Sequence, residues 1–228
     1  MSQVEFDEAV DKAPPGWRQF DFDDVARLPE PVRAHEMARV PPGEPEERIV
    51  RGLFWTLVYH LAPDRWDELA RHEPIAQAVI DALPRGARSA LDVGAGSGRL
   101  THHLVDRAGA VVAVEPSAPL RGMLADRYPT VRAVAAWAEA MPFAAGSFDL
   151  TAACGAFGPE PEVLSELRRV TARRGVIALI SPEHPEWFEA QGWRRVVAPP
   201  MAPPDHAGWL DDFFGPLDPP HELVMTQV

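Results

Sequence analysis

The sequence predicts an α/β protein in which a mostly parallel sheet follows a helical N-terminal segment. Three observations carry this. Between residues 88 and 181, short apolar runs alternate with helical patterns, as strand–helix–strand units of a parallel sheet do. The first run, Ala90-Leu91-Asp92-Val93, breaks into Gly94-Ala95-Gly96-Ser97-Gly98 and then into a helical pattern with leucines at Leu100 and Leu104. Upstream, Ile49, Leu53, Leu57 and Leu61 recur one helical turn apart, with Phe54 and Val58 beside them.

Residues 1 to about 47 are acidic and proline-rich, with Pro14-Pro15-Gly16 and Pro41-Pro42-Gly43 as breakers. Trp17, Phe20 and Phe22 are costly to expose, so this arm is expected to dock on the body. A helix is predicted from about Glu47 and is stopped by Pro63; its Arg51, Trp55 and Tyr59 share a polar-aromatic face. A second helix is predicted from near Pro74 through Ile75, Val79, Ile80 and Leu83 to Pro84. Strands follow at 89–93, 111–115, 131–136, 148–154 and 176–180, with strand-like runs at 193–198 and 222–228 in the proline-rich tail. His102 and His103, on the helix after the glycine turn, read as packing and solvent-facing respectively.

At 228 residues the chain is expected to be one large domain, or one domain with an extension, and is long enough for a sizeable core. The net charge of −12 argues against a nucleic-acid-binding surface, which is usually basic. Arg168, Arg169, Arg173 and Arg174 cluster at a predicted helix C-terminus, where cations complement the helix dipole. The single cysteine, Cys154, excludes an internal disulfide and fits a reducing cytoplasm. No signal-like segment, no membrane-spanning apolar run and no metal-ligand spacing is present, so a soluble cytoplasmic protein without a metal is expected.

A strand that ends in glycines and feeds a helix is a cradle for a nucleotide cofactor, because the bare backbone lets a ligand approach closely. Arg99 stands where the dinucleotide pattern G-x-G-x-x-G needs its third glycine, which counts against NAD. The segment resembles motif I of the class I S-adenosylmethionine (SAM)-dependent methyltransferases, an acidic residue followed by G-x-G-x-G, at Asp92, Gly94, Gly96 and Gly98. The resemblance continues in order. It takes in Val111-Val112-Ala113-Val114-Glu115 followed by Pro116-Ser117, then Ala138-Glu139-Ala140-Met141-Pro142-Phe143 with Gly146-Ser147-Phe148-Asp149-Leu150. It ends with Glu166 to Gly175 leading into Val176-Ile177-Ala178-Leu179-Ile180.

That resemblance implies a Rossmann-like, doubly wound, seven-stranded sheet, parallel with an antiparallel last strand, under an N-terminal helical cap. The whole chain, 1–228, is then one methyltransferase domain, with arm and cap at 1–85 and the SAM-binding core at 86–228. The backbone at Gly94, Ala95 and Gly96 is expected to hold the methionine portion, with Gly98 closing the turn. Glu115, followed by Pro116, is expected to accept hydrogen bonds from the ribose hydroxyls. Asp92 either orients the loop or a water on the amino group, or stabilises the turn alone. Trp137 replaces an acidic residue common in the family; it stacks on the adenine or packs, with the Ala138 N–H or Glu139 reading the base edge. Cys154 lines the methionine pocket or is a small buried thiol.

Methyl transfer needs a general base only where the acceptor atom carries a proton near neutral pH. His184 and Tyr59 are the catalytic candidates, with His60 and His221 behind them, and Tyr59 or Arg51 is also placed to meet the SAM carboxylate. Trp187, Phe188, Trp209, Phe213 and Phe214 supply surfaces suited to a flat apolar acceptor. The function expected is methyl transfer from SAM to oxygen or nitrogen of a small molecule. The alternatives are a SAM-binding enzyme that does not methylate, an inactive SAM-binding protein, and, less favoured, an NAD-linked dehydrogenase. No nucleic-acid or membrane partner is expected, and a homodimer is one option for the assembly.

Overall fold

The computed structural model describes residues 2–38, 46–202 and 204–228; the Pro41-Pro42-Gly43 breaker lies outside the described residues. Helices α1 (Gln3–Glu8), α2 (Phe22–Arg27), α3 (Glu30–Ala38), α4 (Glu46–Leu61), α5 (Pro63–His72) and α6 (Gln77–Ala82) come first. Strand β1 (Ala87–Val93) leads to α7 (Thr101–Leu104), β2 (Ala108–Val114), α8 (Ala118–Arg127) and β3 (Arg132–Val134). Then come β4 (Phe148–Cys154), α9 (Pro161–Val170), β5 (Thr171–Ile180), α10 (Pro185–Ala190), β6 (Arg194–Val197), α11 (Trp209–Phe214) and β7 (Glu222–Gln227). The chain forms two compact units: Met1–Leu69 with Asp205–Leu217, and Ala70–Pro204 with Asp218–Val228.

In the second unit all seven strands join one sheet in the order β3-β2-β1-β4-β5-β7-β6. Pairs β1–β2, β1–β4, β2–β3 and β4–β5 are parallel, and β7 runs antiparallel to both β5 and β6. The sequence expectation of a parallel sheet with an antiparallel last strand is met. Side chains on successive strand positions point to opposite faces. Ala90, Leu150, Ala178 and Ile180 therefore pack on one face with Val79 and Ile80 of α6 and with Leu100 and Leu104. Leu91, Ile177 and Leu179 pack on the other with Val163, Leu167 and Val170 of α9, and Phe148 joins them although two residues from Leu150, because the β4 register shifts between the two.

The helical unit is built around α4, whose Val50, Phe54, Leu57 and Val58 are fully buried with Phe6, Trp17, Leu28 and Phe213. The Trp17 ring stacks on Phe6 at 4.3 Å, and its indole N–H donates to the Phe6 carbonyl at 3.1 Å. Phe6 and Trp17 of the arm are thus core residues of this unit, and Phe20 and Phe22 pack against that core half-buried. Part of its acidity is local structure: Ser2 with Glu5, and Asp21 with Asp24, form capping boxes that satisfy the first N–H groups of α1 and α2.

Four expectations change in detail. Pro63 ends one helix and also opens the next, α5, where its fixed φ suits the first turn. The second predicted helix is shorter, α6, because Ala76 caps it and Leu83 is already extended. The third strand stops at Val134, since residues 137–140 close a tight turn in which the Ala140 N–H donates to the Trp137 carbonyl at 3.2 Å. The two histidines exchange roles: His102 is exposed and His103 half-buried. With only four residues in α7, spacing alone does not define a face.

Candidate cofactor site

Strand order reverses between β1 and β4, so the glycine turn after β1 stands at the switch point where ligands of doubly wound sheets bind. Gly94, Gly96 and Gly98 have φ of +68°, +56° and +106°, a region that side-chain-bearing residues rarely adopt. Space demands glycine as well: a Cβ on Gly94 would lie 2.9 Å from the Ala156 Cβ, and one on Gly98 2.5 Å from the Tyr128 ring. The turn is pinned from β2, with the Gly94 and Ala95 N–H groups donating to the Val114 carbonyl at 2.9 and 3.0 Å.

Asp92 lies inside β1 and is only 1% exposed. Its Oδ2 accepts the Thr101 hydroxyl at 2.6 Å, tying the strand to α7, while Oδ1 has no hydrogen-bond partner. Burial pushes its pKa up to about 7, with the nearby Glu115 charge adding to the rise and the Thr101 bond opposing it. The turn-stabilising role is thus visible, and a buried carboxylate oxygen is left over. Ser97 Oγ, equally buried in the turn, is also without a partner.

Glu115, one residue past β2, is 5% exposed and turned toward the glycine turn. Its Oε2 accepts the Gly96 N–H at 2.8 Å and its Oε1 the Ser117 N–H at 2.7 Å. Burial raises its pKa to about 6, against the pull of those two N–H groups and of Arg121. Pro116 follows half-buried, and its carbonyl and that of Glu115 accept from Arg121 Nη1 at 3.1 and 2.8 Å. A carboxylate offers about four acceptor positions, so two donors leave room for two hydroxyls.

Trp137, Ala138 and Glu139 are half-buried in the turn beyond β3, and Ala138 packs against the α9 face of the sheet. The next residues are held by α9. The Met141 N–H donates to Glu166 at 2.6 Å, and Arg169 donates to the Met141 and Phe143 carbonyls at 3.0 and 2.6 Å. Arg169 was expected to serve the helix dipole; it also clamps this segment, which spacing along one helix does not reveal. Cys154 ends β4 half-buried among apolar neighbours, where burial pushes its thiol pKa up and disfavours the thiolate.

The two catalytic candidates sit in different units. His184 N-caps α10 after β5, is mostly exposed, and has φ of +54° with its Nδ1 3.5 Å from Glu186. Tyr59 lies on α4 in an aromatic cluster, 4.9 Å from Trp66 and 6.0 Å from Trp55, ring centre to ring centre. His221 is half-buried and its Nδ1 lies 3.1 Å from the Pro219 carbonyl.

Sequence reasoning weighed Arg99 only against a dinucleotide motif and passed over Glu73. Arg99 pairs with Glu73 at 3.2 Å, both side chains largely buried, and Glu73 also accepts the Asp218 N–H at 3.0 Å. An arginine just after the third glycine, at a helix start where positive charge is disfavoured, was the available signal that a carboxylate must face it. Among the described residues no group of three or more His, Cys, Asp or Glu is placed to hold a metal, and no helix is long and apolar enough to cross a membrane.

Comparison with known proteins agrees with this geometry. The methyltransferase-domain family profile matches residues 90–175. An uncharacterized methyltransferase of Mycobacterium bovis is 34% identical over 121 residues, 52% of this chain and 49% of that protein. A demethylmenaquinone methyltransferase of Beutenbergia cavernae is 37% identical over 123 residues, 50% of each chain. The chain thus spans about half the length of the curated relatives it matches. In fold it resembles a SAM-dependent methyltransferase of Thermotoga maritima, with a TM-score of 0.54, 18% identity, and 77% of this chain and 99% of that one covered. The residues present fit SAM. A Cβ-free turn, an unpartnered buried Asp92 oxygen and the Glu115 carboxylate match a ligand that carries cationic groups and a ribose diol. By its sheet topology and glycine turn the chain has the fold of SAM-dependent methyltransferases, and its residues 90–175 match the methyltransferase-domain family.

Proposed function

We propose that this protein transfers a methyl group from SAM to an oxygen or nitrogen atom of a small-molecule acceptor. The observation that carries the reading is the Glu115 carboxylate fixed under the glycine turn by the Gly96 N–H at 2.8 Å. When bound, SAM supplies an activated methyl group on a sulfonium, transferred by in-line displacement. The protein's part is then mainly positioning, which contributes up to roughly 7–11 kcal/mol in ideal cases.

In this reading Gly94, Ala95, Gly96 and Gly98 present bare backbone to the amino-acid portion, and Asp92 and Glu115 supply negative charge toward cationic groups and hydroxyls. Trp137 stacks on the adenine, the Ala138 N–H and Glu139 read its edge, and Cys154 lines the sulfur end. The exposed imidazole of His184 is the better base candidate; the Tyr59 ring is committed to packing with Trp55 and Trp66. The whole chain works as one methyltransferase domain, its aromatic residues recognise a flat acceptor, and a free thiol suits a reducing cytoplasm. The name of the demethylmenaquinone relative supports a small organic acceptor. The acidic net charge supports the absence of a nucleic-acid partner.

The test is incubation of the purified protein with methyl-labelled SAM and fractionated small-molecule extract. Label is expected in an organic product and absent with a His184→Ala, Glu115→Ala double variant. Binding of SAM without label transfer to any fraction would favour a SAM-binding protein that does not methylate.

A further inference from the structure

We propose that Arg121, in the first turn of α8, is a positioning residue for the cofactor: it holds the tip of β2 and, by its charge, keeps the Glu115 carboxylate ready to accept from the ribose. This rests on the reading that the glycine turn and Glu115 hold SAM.

Helix α8 meets the loops after β1 and β2 at its two ends. At its start Ser117 caps the helix, is 1% exposed, and donates its N–H to Glu115 Oε1 at 2.7 Å. One turn on, Arg121 Nη1 reaches back and donates to the Glu115 carbonyl at 2.8 Å and to the Pro116 carbonyl at 3.1 Å. At the far end Arg127 Nη1 donates to the Ser97 carbonyl at 3.0 Å, and the Tyr128 ring fills the space beside Gly98. One helix therefore braces both loops, and Glu115 joins them directly through the Gly96 N–H. A binding group held in this way loses little freedom when the ligand arrives.

Arg121 adds charge to this geometry. A cation in the first turn of a helix opposes the helix dipole, so helix stability does not account for its place. It is half-buried and makes no ion pair among the described residues, which leaves its charge unneutralised by a partner of its own. The charged groups coupled to Glu115 are Arg121 from α8 and Asp92 from β1, with the Gly96 and Ser117 N–H groups as neutral donors. Burial disfavours the Glu115 charge, the Asp92 charge repels it, and Arg121 offsets both. The balance matters because an ionised carboxylate only accepts, whereas a protonated one gives up an acceptor position to its own proton. The guanidinium is turned to the backbone of the β2 tip, so its effect on the ligand runs through Glu115.

The test is titration calorimetry with S-adenosylhomocysteine at pH 5.5 and pH 8, on wild type, Arg121→Met and Arg121→Lys. Arg121→Met is expected to weaken binding at both, and its loss at pH 5.5 should exceed its loss at pH 8 by about twofold or more, because Glu115 takes up a proton more readily without the guanidinium. Arg121→Lys, which keeps the charge and a donor, should restore the wild-type pH dependence. In a Glu115→Gln background, which cannot ionise, the Arg121→Met loss should be the same at both pH values. If Arg121→Met does not fold, Arg121→Gln takes its place. A loss equal at the two pH values with Glu115 present would show a brace without an electrostatic role and overturns the proposal, as does unchanged affinity at both. Failure of wild type to bind the ligand instead overturns the reading of the glycine turn and Glu115 as a SAM site.

Discussion

Glu115 and Gly96 are joined by a 2.8 Å hydrogen bond in which a side chain from the β2 tip fixes the backbone of the turn that follows β1. The carboxylate is thereby oriented by the protein, and the turn is shaped by the residue expected to meet the ribose. Such mutual fixing lowers the ordering cost of binding.

The raised pKa of Glu115, about 6 through burial, gives this relationship a pH signature. Ribose hydroxyls donate to the ionised form, so binding favours the carboxylate. Affinity for S-adenosylhomocysteine should therefore fall as pH drops through about 6, by about tenfold between pH 7.5 and pH 5 if only the ionised form binds. Calorimetry across that range checks it; a flat profile would assign the ligand's hydroxyls elsewhere.

Asp92 makes a prediction about the unliganded fold. Burial raises its folded pKa to about 7, above its unfolded value. Its neutral form thus stabilises the fold below the unfolded pKa, and that contribution is lost as pH rises through about 7. Asp92→Asn keeps an acceptor for Thr101 and never ionises. Its stability relative to wild type should be greatest near pH 8 and shrink by up to about 3 kcal/mol toward pH 5, read by urea denaturation. A difference independent of pH would mean that Asp92 is not strained by burial.

The glycine positions separate by mechanism. Gly94→Ala combines φ of +68° with a 2.9 Å contact to Ala156 and should cost about 1–3 kcal/mol while weakening S-adenosylhomocysteine binding. Gly52→Ala sits inside α4, meets nothing within 4 Å, and should stabilise by about 0.5–1 kcal/mol through helix propensity. Thermal and chemical denaturation of both variants distinguishes the two cases; destabilisation at Gly52 would contradict the assignment of α4.

In the helical unit, a Cβ on Gly16 would lie 2.7 Å from the Phe213 ring and from its carbonyl oxygen. One of those contacts is backbone, so relief requires moving α11. Gly16→Ala is expected to destabilise by about 1–3 kcal/mol, with loss of near-ultraviolet signal from the packed aromatic residues. An unchanged near-ultraviolet spectrum would show that Gly16 and Phe213 are not in contact.

Signals local in the chain were the legible ones. Short apolar runs marked all seven strands, and the five residues from Gly94 to Gly98 announced the turn, because both are written in consecutive positions. The position of Glu115 was legible for the same reason, since it ends an apolar run. Contacts between distant positions were not. Arg99 meets Glu73 across 26 residues, and Glu166 with Arg169 grips Met141 across 25 to 28, and no periodicity encodes either meeting. Pro63 was legible as a stop and not as a start, because the same fixed φ serves both. Helix α7 is one turn long, too short for two adjacent histidines to be assigned to faces by pattern.

The most direct measurement is titration calorimetry of S-adenosylhomocysteine against the folded wild-type protein and Glu115→Ala at pH 7.5. One site of micromolar or tighter affinity is expected in wild type, with a loss of at least tenfold in the variant. An absence of binding to well-folded wild type, or equal affinity in the two proteins, would contradict the assignment of Glu115 and the glycine turn to the adenosyl ligand.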